Sequence, residues 1–145
     1  MHKRLYESDA EVEEVVRRFE GCGFAVQEFD HVAHLTVAVV YLTRFGECVA
    51  MDRMRESLLR FSRHHGRMGY HETITRFWLR LVAAEPSCSQ TLYARVNAIV
   101  SKYADKNLVF QYYTRERLMS DVARKEWVEA DLELSPGAPG SANLK

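Results

Sequence analysis

Cysteine is scarce in this chain, three residues in 145, and the three stand apart as Cys22, Cys48 and Cys88. With no CxxC pair and an odd number, the spacing excludes a zinc ribbon and a thioredoxin-like motif, and a reducing cytoplasm is the compartment expected. Nothing adjacent to Cys22 or Cys48 argues for an activated thiol. A charge of one sign is also missing, because 20 basic side chains balance 20 acidic ones. That balance removes the global argument for nucleic acid or an acidic membrane surface, and the local basic stretch RFSRHHGRMG is offset by the rest. Long hydrophobic runs are absent too. The longest, VAVVYL, is far short of the roughly 20 apolar residues of a membrane span, and MHKRLYESDAEVEE has no apolar core of a secretory signal. The partners expected are therefore a small molecule, with neither nucleic acid nor membrane.

Several motifs are lacking as well. There is no GxxxxGK[ST] phosphate loop, no GxGxxG and no GxSxG nucleophile elbow. HETIT opens like the zincin motif HExxH, but the second histidine would fall at position 75, where this chain has Thr75. The chain is long enough for one domain with a real core. Prolines number only three: Pro86, and two in the Pro/Gly/Ser-rich end ELSPGAPGSANLK, which reads as a mobile tail.

What is present is helical periodicity. Ser8 or Asp9 caps a first helix with Val12, Val15, Val16 and Phe19 as its apolar face, stopped by Gly21 and Gly23. FAVQEF reads as a short extended stretch. A second helix opens at Asp30 and runs through HVAHLTVAVVYLTRF to Gly46. It is apolar nearly all round after His34, as the most buried helix should be. A third runs from Glu47 to Gly66, with His64 and His65 at its cation-tolerant end. The fourth starts at Tyr70 or His71 and lasts until Pro86. The fifth is capped by Ser87 or Ser89. LVFQYYTRERLMSDVARKEW reads as one or two short helices. The expected fold is all-α: a single compact bundle of five or six helices over 1–131, with a tail over 132–145.

The polar residues need a separate account. His31 and His34 share a helical face in a first turn, and His71 opens another helix with Thr75 and Trp78 following on its face. A helix N-terminus carries partial positive charge and favours neutral imidazole, which is a metal ligand, general base or acceptor. The plainer account makes each histidine a hydrogen-bonded residue at a helix start, and Glu72 a first-turn carboxylate favoured by the dipole. It makes Thr73 and Thr75 bonds to the preceding turn. In RERLMSDVARKEW, Arg117, Asp121 and Arg124 are spaced for an ion-pair ladder on a solvated helix. Alternatively, Arg117 or Arg124 reaches inward to an anionic substrate group, with Tyr112 and Tyr113 as donors and Ser120 beside Asp121.

Three blocks, FDHVAHLTVAVVYL, GYHETITRFW and QYYTRERLMSDVAR, together resemble a group of small bacterial helical proteins that carry no named activity. The resemblance runs from about Phe19 to Trp127. It implies that the positions to carry over are His31, His34, Tyr70, His71, Thr73, Thr75, Tyr112, Tyr113, Ser120, Asp121 and Arg124, with the two histidine blocks facing each other across the bundle.

Three functions compete. The first is a metal-dependent enzyme on a small molecule, with a transition metal ion (non-haem iron, zinc or copper) held by His31, His34 and His71. Because a cation near two helix N-termini needs a carboxylate, Glu72 or Asp121 would join it. Here His71, Glu72, Tyr113 and Asp121 are the catalytic set, and Thr75, Tyr112, Ser120 and Arg124 bind substrate. The second is a metal-free acid–base enzyme, with His31 or His71 as general base and Arg124 holding an anion. The third is a non-catalytic ligand-binding or interaction module in which the histidines are structural.

Overall fold

Helix starts in this chain are set by side chains that supply the first turn with acceptors. The computed structural model describes residues 5–86 and 91–132. Ser8 accepts the Glu11 N–H at 3.3 Å and begins α1 (Asp9–Glu20), whose Val12, Val16 and Phe19 are buried. Gly21 ends it. FAVQEF is not extended throughout. Glu28 accepts the Ala25 N–H at 2.7 Å and curls Val26–Glu28 into a 3-10 turn. The flanking apolar side chains stay inside, with Phe29 stacked on Phe19 at 4.2 Å.

Asp30 accepts the Ala33 N–H at 3.0 Å and starts α2 (His31–His64), 34 residues long. Gly46 interrupts it with φ 79° and ψ 170°, a conformation that favours glycine. The expected boundary between two helices is therefore real, and it is a reversal. Tyr41 Oη lies 3.3 Å from Ser57 Oγ, whereas an unbroken helix would hold them about 24 Å apart. The two arms, 31–45 and 47–64, form an antiparallel hairpin. By length and composition alone the segment would pass as a membrane span, yet the break divides it, and Leu35 and Val37–Val40 of the first arm lie in the core.

Around this hairpin pack α1, α3 (Glu72–Ala83) and α4 (Leu92–Lys102). Phe77, Leu81 and Val96 are fully buried, each worth about 2 kcal/mol of apolar transfer. The cap of α4 is Thr91, while Ser87 and Ser89 lie outside the described residues. A 3-10 turn, Lys106–Gln111, leads to the short helices α5 (Arg115–Leu118) and α6 (Asp121–Lys125). The segment after α6 is strapped to the core by backbone carbonyls. Tyr113 Oη donates to Val128 O at 2.7 Å and Thr73 Oγ1 to Glu126 O at 2.9 Å. The fold is all-α, with no strand among the described residues. Residues 133–145, and so nearly all of the expected tail, lie outside them.

Candidate functional site: a histidine-lined cavity

Because α2 doubles back, residues near its two ends come to one place. His31, His34 and Ala38 of the first arm and Leu58, Phe61 and His65 of the second line a cavity of about 580 Å³. The start of α3 closes it with Tyr70, His71, Thr75 and Trp78, and the Lys106–Gln111 turn adds Lys106, Asn107 and Val109. The walls are mostly apolar. The expectation that the two histidine blocks face each other holds at this level, since all three imidazoles line one cavity.

Their nitrogens are not equivalent. His31 Nε2 is 2.8 Å from the Tyr103 carbonyl oxygen. A carbonyl can only accept, so Nε2 carries the proton and Nδ1 of the neutral ring is a bare acceptor. Its edge meets the Trp78 ring at 4.7 Å. His34 is the other tautomer: Nδ1 donates to Asp30 O at 2.9 Å, leaving Nε2 bare, and its ring lies 4.2 Å from Phe29. His71 has nothing to spare. Its Nδ1 accepts the Ile74 N–H at 3.1 Å as the cap of α3, and its Nε2 donates to Leu118 O at 2.7 Å. Burial pushes all three imidazoles below the ordinary value of 6.5, partly offset by their carbonyl bonds. Loss of hydration disfavours the cation. The neutral form was expected from the helix dipole; its larger cause is desolvation.

The expected metal triad of His31, His34 and His71 is not assembled. Among the described residues no group of three or more histidine, cysteine, aspartate or glutamate side chains is placed to hold a metal ion, and both His71 nitrogens are occupied. Neither carboxylate completes a centre. Glu72 is gripped by Arg55, with Nε to Oε1 at 2.9 Å and Nη2 to Oε2 at 2.7 Å, and by the Tyr70 hydroxyl at 2.6 Å. The Arg55 bonds are the main reason its carboxyl is held below the usual range. It pins α3 to the second arm. Asp121 is exposed in the first turn of α6 and does not line the cavity.

The other expected site residues divide in the same way. Thr75 lines the cavity while its hydroxyl donates to His71 O at 2.8 Å, the backbone bond that the plainer account assigned to it. Tyr112 and Tyr113 are buried and pack edge-on against Phe77, away from the cavity lining. Ser120 caps α6 through the Ala123 N–H at 3.1 Å. The Arg117, Asp121 and Arg124 ladder does not form, because the helix breaks between α5 and α6 and Arg117 Nε turns to Glu129 O at 2.7 Å. Arg124 faces a second, separate cavity.

Sequence reasoning missed His65, Phe61 and Asn107 as wall residues. His65 closes α2 as expected; its Nε2 also donates to Phe24 O at 2.9 Å, and it lines the cavity. The available signal was Gly46. Read as a reversal rather than a boundary, it folds the second arm back along the first, as Tyr41 against Ser57 shows. Comparison of the chain with protein-family models, with curated proteins and with solved structures returns no match.

Proposed function

We propose that the cavity binds a small, mostly apolar molecule bearing a hydrogen-bond donor or an acidic proton, with His31 and His34 as neutral acceptors and general bases. One observation carries this reading. A backbone carbonyl fixes one nitrogen of each ring, and the opposite nitrogen has no hydrogen-bond partner among the described residues, over a shared apolar cavity. Orientation by a second hydrogen bond is how a protein presents a chosen imidazole lone pair. A volume near 580 Å³ suits a ligand of drug-like size, since such sites span about 300–1,000 Å³. The lowered pKa keeps both rings in their base form at neutral pH. Lys106 and Arg67 on the lining supply positive charge for an anion left by proton removal. The chemistry is metal-free proton transfer or capture. It takes the place of the metal-dependent reading, whose third nitrogen is spent on capping α3.

Trp78 forms part of the wall, so its emission reports occupancy. Titration with a panel of phenols, indole and aryl ketones is expected to give saturable quenching by at least one probe. The His31→Ala/His34→Ala double variant, with its helical circular dichroism intact, should lose that signal. No saturable probe, or one bound equally by the double variant, would contradict the reading.

A further inference from the structure

Behind Tyr70 lies a second cavity of about 750 Å³, and its chemistry is different. Six cationic side chains line it, Arg55, Arg63, Arg67, Arg76, Arg124 and Lys125, against two carboxylates, Glu72 and Glu126. Glu72 is already neutralised by Arg55 at 2.7 Å. Arg63, Arg124 and Lys125 stand in the last turns of α2 and α6, where the dipole welcomes cations, and that alone would explain them. It does not explain Arg76, which sits inside α3. Its Nε is buried and has no hydrogen-bond partner, while the side chain as a whole is 37 % exposed. Its Nη2 is 3.9 Å from Glu72 Oε2, too far to bond, because Arg55 and Tyr70 hold that carboxylate. No ion pair with a described carboxylate engages Arg63, Arg67, Arg124 or Lys125.

A buried donor without an acceptor is costly, so such an atom needs an explanation, and an anion is the simplest that also answers the excess charge. We infer that this cavity is an anion site for a phosphate group, free or esterified, held by the Arg76 and Arg124 guanidinium groups with Arg63, Arg67 and Lys125 around it. Five of the six cations are arginine, whose planar fork of N–H donors matches phosphate oxygens. A single phosphate places a dianion among these cations, and the room left over admits a second phosphate or a small organic ester. The assignment uses none of the imidazole chemistry of the first cavity, from which Tyr70, Ser62 and Arg67 separate it as shared walls.

Inorganic pyrophosphate is the probe. In calorimetry the wild-type chain should bind it saturably, and in a ¹H–¹⁵N spectrum of the arginine side chains the Arg76 Nε–Hε resonance should shift as it is added. Arg76→Gln and Arg124→Gln should each weaken binding about tenfold or more, the loss of a charge-assisted bond. Arg115→Gln, whose guanidinium stacks on Phe110 at 4.4 Å, should leave it unchanged, as should the His31→Ala/His34→Ala pair. The spectrum needs no variant, so a misfolded substitution does not rescue the idea. An unmoved Arg76 resonance, or binding equally weakened by Arg115→Gln, would overturn it. So would a single-stranded oligonucleotide that binds with steep salt dependence and is not displaced by pyrophosphate, since that marks a diffuse cationic face.

Discussion

The starts of α2 and α3 present histidines to the same cavity and use them in opposite ways. At α2 the cap is Asp30, whose carboxylate takes the Ala33 N–H, so His31 and His34 each keep one nitrogen unspent. At α3 no serine, threonine, aspartate or asparagine stands at the cap position, and His71 caps the helix itself. The difference teaches that the residue filling the cap decides whether a neighbouring imidazole is structural or available. Nearness to a helix N-terminus is common to both and does not by itself decide it: His71 occupies the cap position, whereas His31 and His34 lie inside α2.

The sharpest way to break that comparison is to remove the structural imidazole. His71→Ala should cost about 3 kcal/mol, combining a lost cap of about 1 with a buried Leu118 carbonyl left without its donor. Urea denaturation at neutral pH measures it, and a loss below about 1 kcal/mol would mean that the ring is not the cap it looks like. His71→Asn, which can cap but cannot reach Leu118, should recover about a third of the loss. Next comes the carboxylate beside it. Arg55→Ala leaves Glu72 buried with the Tyr70 hydroxyl and, at 3.9 Å, the Arg76 guanidinium close by, and we expect about 2 kcal/mol, discounted because Arg55 is itself partly exposed. A neutral result there would mean that water replaces the guanidinium.

Acid titration tests the three rings together. Their folded pKa values lie below 6.5, so beneath that pH the unfolded chain binds more protons than the folded one. Stability is then full above 6.5 and falls as pH drops through the folded values, by at most about 1.4 kcal/mol per pH unit for each proton. Glu72, depressed below 4.5, adds its own loss only at lower pH. The denaturation midpoint should therefore decline as pH falls below 6.5, and less steeply in His71→Ala. A flat profile there would contradict the burial of the rings. The smallest effect belongs to the available pair. His31→Ala or His34→Ala should cost only about 1 kcal/mol each, one backbone hydrogen bond, while removing probe binding. A cost matching that of His71→Ala would erase the distinction.

Much of the helical layout was legible because it is local chemistry. Ser8, Asp30 and Gly46 declare themselves through cap and φ preferences within a few residues, and the all-apolar stretch after His34 declares the core. What was not legible depends on contacts distant in sequence. The Leu118 carbonyl that claims His71 is 47 residues away, and the Tyr103 carbonyl that orients His31 is 72 away. Whether Tyr113 served chemistry or packing turned on Val128, a backbone acceptor in a segment with no periodicity. The pairing of Arg55 with Glu72 required knowing that the second arm lies beside α3. The sequence showed which side chains were polar near helix starts; only the tertiary fold showed which of them had already been used.

Long-range ¹H–¹⁵N spectra of the imidazole rings at neutral pH test the central claim most directly. The account predicts His31 protonated on Nε2, His34 on Nδ1 and His71 on Nε2, with a cavity ligand moving the bare nitrogens of His31 and His34 and leaving those of His71 in place. A His34 ring protonated on Nε2, or a ligand that shifts His71 Nδ1 instead, would contradict it.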